Sequence, residues 1–291
     1  MTQSTIPPRA VALLLVLTLV WGTNWPLFPL ATRELSVWTF RAVAVTIAGL
    51  VLLAYAWLRG QPLVLPRRHW PTVLVATFFY LALWNVASTY SAILIPSGQA
   101  AILGFTMPLW AALFAWGFFG ERLSRRMVLA ISLGALAVGL LMLRGAQAYA
   151  QAPLGFALGL LAGAGWALGT IILKRNPPAV PVAVLTGWQL LIAAVPTTLG
   201  AFVFSDSPWF MPSWTTIVVV GYIALVPMAV GNLCWFSIVG LLPTAVAGLS
   251  SIMVPVVAML SGALINGEPL GPMQGLAMVC CAAALWLATR R

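Results

Sequence analysis

The segment Pro96–Arg144 occurs twice in this chain. Moved along by 147 positions it lies on Pro243–Arg291 without a gap, with 14 of 49 positions identical. Shared composition would give roughly a tenth, so this is a true internal repeat. Pro96, Pro108, Gly120, Glu121, Leu123 and Arg144 fall on Pro243, Pro255, Gly267, Glu268, Leu270 and Arg291, and the same offset carries Asn85 onto Asn232. Each copy reads as an apolar segment, a Gly-Glu turn and a second apolar segment. A chain written this way has to fold as one plan used twice.

Composition decides the solvent. Hydrophobic residues make up 62% and charged residues 6% of the 291 positions. A soluble domain carries about 25% charged residues, so too little polar surface exists here to face water. The expected fold is an all-α polytopic membrane protein, with nothing left over for a soluble domain. Ten apolar stretches reach roughly the 20 residues a crossing needs. They run over 10–30, 36–58, 70–92, 97–119, 126–144, 153–173, 181–204, 214–238, 244–265 and 271–289. The first begins after Arg9 like a signal peptide but runs on too long for one, so it is expected to stay as a span. The plan is two five-helix repeats, 1–147 and 148–291, within one integral membrane domain. Five is odd, so the second half is expected to enter the membrane inverted.

The basic residues test that arrangement. With the N-terminus in the cytoplasm, eleven Lys and Arg fall on the cytoplasmic side and two, Arg33 and Arg144, on the far side. Such a bias sets orientation. Both termini are therefore expected in the cytoplasm. Glu121 is followed by Arg122, Arg125 and Arg126, its twin Glu268 by Pro269, Pro272 and Met273. The basic residues vanish where the turn changes side. The net charge of +10 is thus topogenic and implies no nucleic-acid partner. Cys234, Cys280 and Cys281 lie in apolar runs, which is neither a disulfide framework nor a metal site.

Polar residues inside apolar spans are the candidates for function. Trp21-Gly22-Thr23-Asn24-Trp25-Pro26 interrupts the first span, and backbone loosened this way is tolerable where it lines a cavity. Pro108 and Pro255, with Pro196 and Pro227, are further places for a kink. Arg41 is the one charge well inside a span. It either faces a cavity or snorkels to the interface beside Trp38. Trp188-Gln189 stands near the repeat position of Phe40-Arg41, which suggests polar residues at one level in both halves. The twins Asn85 and Asn232 are either interhelical glue or a pair of amides facing a pathway. Tyr80 shares the span of Asn85, and Trp166 holds nearly the place of Trp21 at an offset of 145. Gly155, Gly159 and Gly163 form a small-residue stripe and read as packing. Trp57, Trp70, Trp209 and Trp214 sit at span ends and read as interfacial belt residues.

Several chemistries lack their residues. Glu34, Glu121, Asp206 and Glu268 fall in connections or at span ends, and His69 lies in a basic loop. There is no paired-carboxylate site, no metal-ligating cluster, no phosphate loop and no nucleophile elbow, so no catalytic residue, metal or cofactor is expected. No filter-like loop or ring of charge supports an ion channel.

At this point the chain resembles a known family, the EamA-type members of the drug/metabolite transporter superfamily. The resemblance covers the whole chain. It rests on ten spans in two halves, the turns Gly120-Glu121 and Gly267-Glu268, the Pro-to-Gly-Glu spacing of Pro108–Glu121 and Pro255–Glu268, the Trp21–Asn24 run, and Phe40-Arg41. The sequence is also similar to the bacterial aromatic amino-acid exporters of that family. The resemblance implies a central cavity between spans one to four and six to nine, with spans five and ten as scaffold. It implies small-molecule metabolites as substrates, exported across the inner membrane, and it maps family residues onto Trp21, Asn24 and Arg41.

The expected function is an alternating-access exporter of amino acids, aromatic ones favoured, working by facilitated diffusion. The expected substrate-binding residues are Trp21, Asn24, Arg41, Tyr80, Asn85, Gln99, Trp166, Trp188, Gln189 and Asn232. The amides would bond the amino and carboxylate groups and Arg41 would draw the carboxylate. The alternatives are efflux of drugs or other amino acids and, from another class, an intramembrane lipid-modifying enzyme. Membrane lipid is the surrounding partner, and the oligomeric state does not follow from the sequence.

Overall fold

The computed structural model describes residues 8–120, 125–144, 152–205, 210–241 and 244–289. Among these the regular structure is entirely helical. In chain order the helices are α1 (Pro8–Gly22), α2 (Leu27–Ala31), α3 (Val37–Leu58), α4 (Trp70–Thr77), α5 (Trp84–Leu94), α6 (Ser97–Gly104), α7 (Met107–Phe119) and α8 (Arg125–Arg144). Then come α9 (Pro153–Arg175), α10 (Val182–Phe204), α11 (Trp214–Ile223), α12 (Asn232–Leu241), α13 (Thr244–Asn266) and α14 (Pro272–Thr289). A 3-10 turn, Arg67–His69, precedes α4. Two π-helical segments, Phe78–Leu83 and Ala224–Gly231, join α4 to α5 and α11 to α12.

Six helical runs are long and apolar enough to cross a membrane: Val37–Leu58, Arg67–Leu94, Ser97–Phe118, Pro153–Arg175, Val182–Phe204 and Trp214–Ile238. Four further helices, α1, α8, α13 and α14, carry apolar stretches among the described residues over Val11–Gly22, Val128–Ala137, Val254–Asn266 and Pro272–Ala284. The chain is a polytopic membrane protein, and two of the stretches expected as spans are broken within. The first expected span has a local cause for its shortness. Pro26 offers no N–H, and the chain turns between α1 and α2. The carbonyls this break frees find donors on α13: Ser261 Oγ donates to Gly22 O at 3.3 Å and Asn266 Nδ2 to Pro26 O at 2.9 Å. The fourth stretch is also broken, at Phe105 and Thr106, just before Pro108. Pro196 and Pro255, by contrast, sit within the continuous helices α10 and α13.

The two π-helical segments obey the repeat. Moved by 147 positions, 78–83 becomes 225–230, inside the second segment. A π turn widens the helix by one residue and recurs at functional positions. Here each delivers its Asn twin, Asn85 or Asn232, just beyond its end.

Polar residues of the spans are buried, and many large apolar residues are exposed. Arg41, Asn85, Thr89, Gln189 and Asn232 are buried, while Leu50, Val195, Leu199, Phe202 and Val218 are exposed. That inversion fits a lipid surround. Trp57 and Trp214 are 67% and 80% exposed at helix ends, as belt residues should be; Trp209 lies outside the described residues. α3 packs along α10, and α8 along α14. The glycine stripe of α9 lets α5 and α6 approach: a Cβ on Gly163 would stand 2.9 Å from the Gly104 carbonyl.

Candidate functional site

The breaks and widened turns converge on one cavity. It is lined by Trp21, Asn24 and Trp25, by Phe28 of α2, and by Arg41 of α3. Leu81, Trp84 and Asn85 come from the first π segment and α5; Phe105 comes from the break before α7 and Met107 from its first turn. Trp166 of α9, Pro227 and Met228 of the second π segment, and Asn232 complete it. The cavity volume is about 40 Å³, so the side chains stand nearly closed around it.

Aromatic rings form most of the wall. Trp166 meets Trp21 edge-on at 5.7 Å and Trp84 at 4.8 Å between ring centroids. Trp25 stands 6.0 Å from Trp84 and 5.6 Å from Phe28. Trp21 Nε1 donates to the Pro227 carbonyl at 3.1 Å, which ties α1 to the second π segment.

Arg41 does not snorkel. It is 1% exposed, and its Nε donates to Thr89 Oγ1 at 2.5 Å. Thr89 donates in turn to the Asn85 carbonyl at 2.6 Å, so its single hydroxyl proton is committed and its lone pair faces the guanidinium. The guanidinium carbon lies 4.1 Å from the Phe28 ring centroid and 4.6 Å from that of Phe40, a cation–π contact on each. Among the described residues no acid lines the cavity, and Arg41 Nη2 has no hydrogen-bond partner. A buried cation left in this way costs about 3–5 kcal/mol, which an anionic ligand would recover.

The amides complement it. Asn85 Nδ2 donates to the Leu81 carbonyl at 2.8 Å and Asn232 Nδ2 to the Met228 carbonyl at 2.7 Å. A carbonyl only accepts, so each amide nitrogen is fixed there and each amide oxygen is left over. Asn85 Oδ1, Asn232 Oδ1 and Asn24 Oδ1 are buried without a donor, and Trp166 Nε1 is buried without an acceptor. The cavity therefore offers three acceptor oxygens together with an uncompensated guanidinium and an indole N–H.

Of the residues expected from the sequence, Trp21, Asn24, Arg41, Asn85, Trp166 and Asn232 line this cavity together. Tyr80 stands behind Trp166, its ring 4.7 Å away and edge-on. Gln99 lies in a separate small crevice with Glu268 and Gln274. Trp188 donates to the Leu63 carbonyl at 2.7 Å and packs on Trp70, away from the wall. Gln189 is fully buried but not in the wall. The expectation that Gln189 and Arg41 share one level is wrong for a geometric reason. α3 and α10 run antiparallel: a Cβ on Gly49 would touch Gly187 and Leu191, and one on Gly200 would touch Trp38. Arg41 is thus level with the region of Thr197, and Gln189 lies about 12 Å further along, at 1.5 Å per residue.

Trp25, Phe28, Trp84, Phe105, Met107 and Met228 belong to the wall and were not among the expected residues. Trp25 adjoins the Asn24 break and Trp84 precedes Asn85, so both carried a signal. Phe105 carried none beyond its place just before Pro108.

Comparison with known proteins agrees with this architecture. The family model described as the EamA-like transporter family matches the chain twice, over residues 8–143 and 153–290. An uncharacterized transporter, YvbV, of Bacillus subtilis (strain 168) is 27% identical, the match covering 91% of this chain and 87% of that protein. A probable amino-acid metabolite efflux pump of Escherichia coli (strain K12) is 26% identical, over 94% of this chain and 93% of that one. A solved crystal structure superposes with a TM-score of 0.71 at 22% identity, covering 96% of this chain and 97% of that one, which shows a shared fold. With polar residues turned inward onto an aromatic cavity and a family match in each half, the chain belongs to the EamA-like transporter family, the EamA-type drug/metabolite transporters.

Proposed function

We propose that this transporter exports amino acids, with aromatic ones favoured, by alternating access. The observation that carries the reading is the unpartnered Arg41 Nη2 beside three donor-starved amide oxygens. An α-amino acid supplies the complement of both: a carboxylate for the guanidinium and three ammonium protons for the amides. The rings of Trp21, Trp25, Trp84 and Trp166 would enclose an indole or phenyl group edge-on. The name of the Escherichia coli relative, an amino-acid metabolite efflux pump, points the same way. Efflux of cationic drugs fits less well, because a buried Arg41 without a counter-ion repels a cation. The proposed frame is ten spans in two inverted five-helix halves, in a bacterial inner membrane, with both termini cytoplasmic.

Transport is proposed to be facilitated diffusion. Among the described residues no acid lines the cavity, so a proton gradient has no titratable group there on which to act. The test is pure protein in liposomes with labelled amino acids. Saturable exchange of Trp and Phe that equilibrates without accumulating under an imposed pH gradient is expected. No exchange of any amino acid would overturn the substrate reading, and accumulation that collapses with a protonophore would overturn the uncoupled one.

A further inference from the structure

Between the cavity and one end of the molecule lies a second set of buried polar groups that the site does not use. That end carries basic residues. Arg67 and Arg68 precede α4 there. α9 runs antiparallel to α4 and α5, since a Cβ on Gly155 would meet Leu94 and one on Gly169 would meet Tyr80. Lys174 and Arg175, in the last turn of α9, therefore reach the same end. α10 starts there too, because Trp188 bonds the Leu63 carbonyl and packs edge-on against Trp70. Depth can be read from Arg41, which bonds Thr89 and is level with the region of Thr197. At 1.5 Å per residue, Thr77 lies about 16–18 Å from Thr89 towards the basic end. Gln189 and Thr186 lie about 12 Å and about 16 Å from Thr197 in the same direction.

These three residues share a seam. Along α4 and the first π segment, Ala76 and Tyr80 adjoin Gly169 of α9, while Leu74, Val75 and Phe78 are exposed. Thr77 is buried on the remaining side, where α10 packs. On α10, Gly187 and Leu191 adjoin α3, while Val195 and Leu199 are exposed. Thr186 and Gln189 are spaced i to i+3 and so share a helix face. Both are buried against what is left, which is α4, the first π segment and α12. Phe236 of α12 reaches the same place, its ring 6.0 Å from that of Tyr80.

None of the three is bonded. Thr77 Oγ1, Thr186 Oγ1 and both the nitrogen and the oxygen of the Gln189 amide are buried without a hydrogen-bond partner. This departs from the habit of the chain. Thr46, Thr89, Thr170 and Thr197 each donate to the carbonyl four residues back, and Thr77 and Thr186 do not. Polar residues that only glue helices bond across the interface. Two hydroxyls and an amide left bare in a closed seam cost stability, and a polar guest between the helices would recover it.

We infer that the seam between α10 and α4 is the passage by which the cavity exchanges its solute with the basic end, with Gln189, Thr186 and Thr77 as its polar steps. Their chemistry suits transit. The Gln189 amide and each hydroxyl can both donate and accept, so either end of a zwitterion is served. None of the three is charged, and neutral hydrogen bonds are about half as strong as those that Arg41 can make. A path has to hold a solute well enough to admit it and weakly enough to release it. The inference rests on the alternating-access reading given above, and its zwitterionic solute on the amino-acid reading.

The test sets stability against flux, on the full chain in lipid. Gln189→Leu nearly keeps the volume and removes the bare amide. It is expected to raise the melting temperature by about 2–4 °C, because an unbonded buried polar group is lost. The same variant is expected to slow amino-acid exchange about fivefold, with little change in KM, because a step of the path is lost and the cavity is untouched. Thr186→Val repeats the change at a hydroxyl and should act in the same directions. A fall in melting temperature with both variants would make these groups bonded structural parts and would overturn the passage. Exchange at the native rate in both would overturn it too. A second measurement is independent of the solute. With Cys234, Cys280 and Cys281 replaced by alanine, Thr186→Cys is expected to react with a small charged thiol reagent about tenfold faster than Ala137→Cys, which is also buried but packs among α8 and α14. Equal rates would overturn the passage. Failure of every amino acid to exchange would sink the substrate reading alone, since the melting and thiol measurements still decide the passage.

Discussion

Asn85 and Asn232, 147 positions apart, make the same hydrogen bond: each amide nitrogen donates to the carbonyl four residues back, at 2.8 Å and 2.7 Å. Each stands just past a π-helical segment and leaves its amide oxygen bare in the cavity. The symmetry predicts equivalent roles. Asn85→Ala and Asn232→Ala are each expected to cut amino-acid exchange about tenfold or more, the effect of losing a hydrogen bond to a charged group. The double variant should lose less than the product of the two, because both act on one ammonium. Product-like losses in a liposome exchange assay would show two independent sites of damage.

Arg41→Ala should abolish most exchange while the protein stays folded in the membrane. Arg41→Lys should restore only part, because a point charge cannot hold both Thr89 and a carboxylate as a planar fork does. Thr89→Ser keeps the accepting hydroxyl and should behave as the unsubstituted protein, whereas Thr89→Val should raise KM. Methyl esters of amino acids should fail to compete for the native site. Competition by the ester equal to that of the free acid would remove Arg41 from recognition.

The rings separate into wall and support. Trp21→Ala and Trp166→Ala should weaken exchange of Trp and Phe several-fold more than that of Ala or Thr, since a ring contact gives about 0.5–1.5 kcal/mol beyond area. Tyr80 lies behind Trp166 and its hydroxyl has no partner, so Tyr80→Phe should be silent. Substrate-independent losses in the Trp variants would mark packing damage.

Glu34 sets an acid limit on stability. The Ser213 hydroxyl, then its amide, hold the Glu34 carboxyl below its ordinary value of 4.5. A group whose folded-state value is depressed stabilises fully above the unfolded value and loses that contribution as pH falls through the folded one. The melting temperature of native protein should therefore exceed that of Glu34→Gln above pH 4.5, and the two should converge below it. A constant gap at all pH values would refute the linkage. Because Glu34 is open to solvent, the gap should be small and should shrink further in salt.

Orientation follows from the basic residues. A reporter fused after Arg291 should read cytoplasmic, and one inserted near Ala150 should read the opposite side. The reverse at both points would overturn the orientation, and the same side at both would sink the inverted arrangement.

The fold class was legible because a membrane leaves few options: composition excluded water, and the repeat announced two related halves. Arg41, Asn24 and the Asn85–Asn232 pair were legible as residues of the candidate cavity because a polar group in an apolar span needs a reason. Gln189 obeyed that rule and still lies outside the wall, since repeat position says nothing of depth when helices run antiparallel. Trp188 was misread because a Trp near a span end can as well seal a loop, here through the Leu63 carbonyl. Phe105 and Met228 escaped notice because apolar residues in apolar spans carry no local mark; only convergence in space makes them a wall.

The two π-helical segments have a mechanical consequence. One residue added to or removed from an α-helix turns everything beyond it by about 100° and shifts it by about 1.5 Å. A widened turn holds such an extra residue in store. If it migrates along the helix like a dislocation in a crystal, hydrogen bonds are traded one at a time, so Asn85 and Asn232 can swing away from the ligand while their helices keep their tilt. Slow exchange of the backbone amides flanking Leu81 and Met228 would show both dislocations pinned.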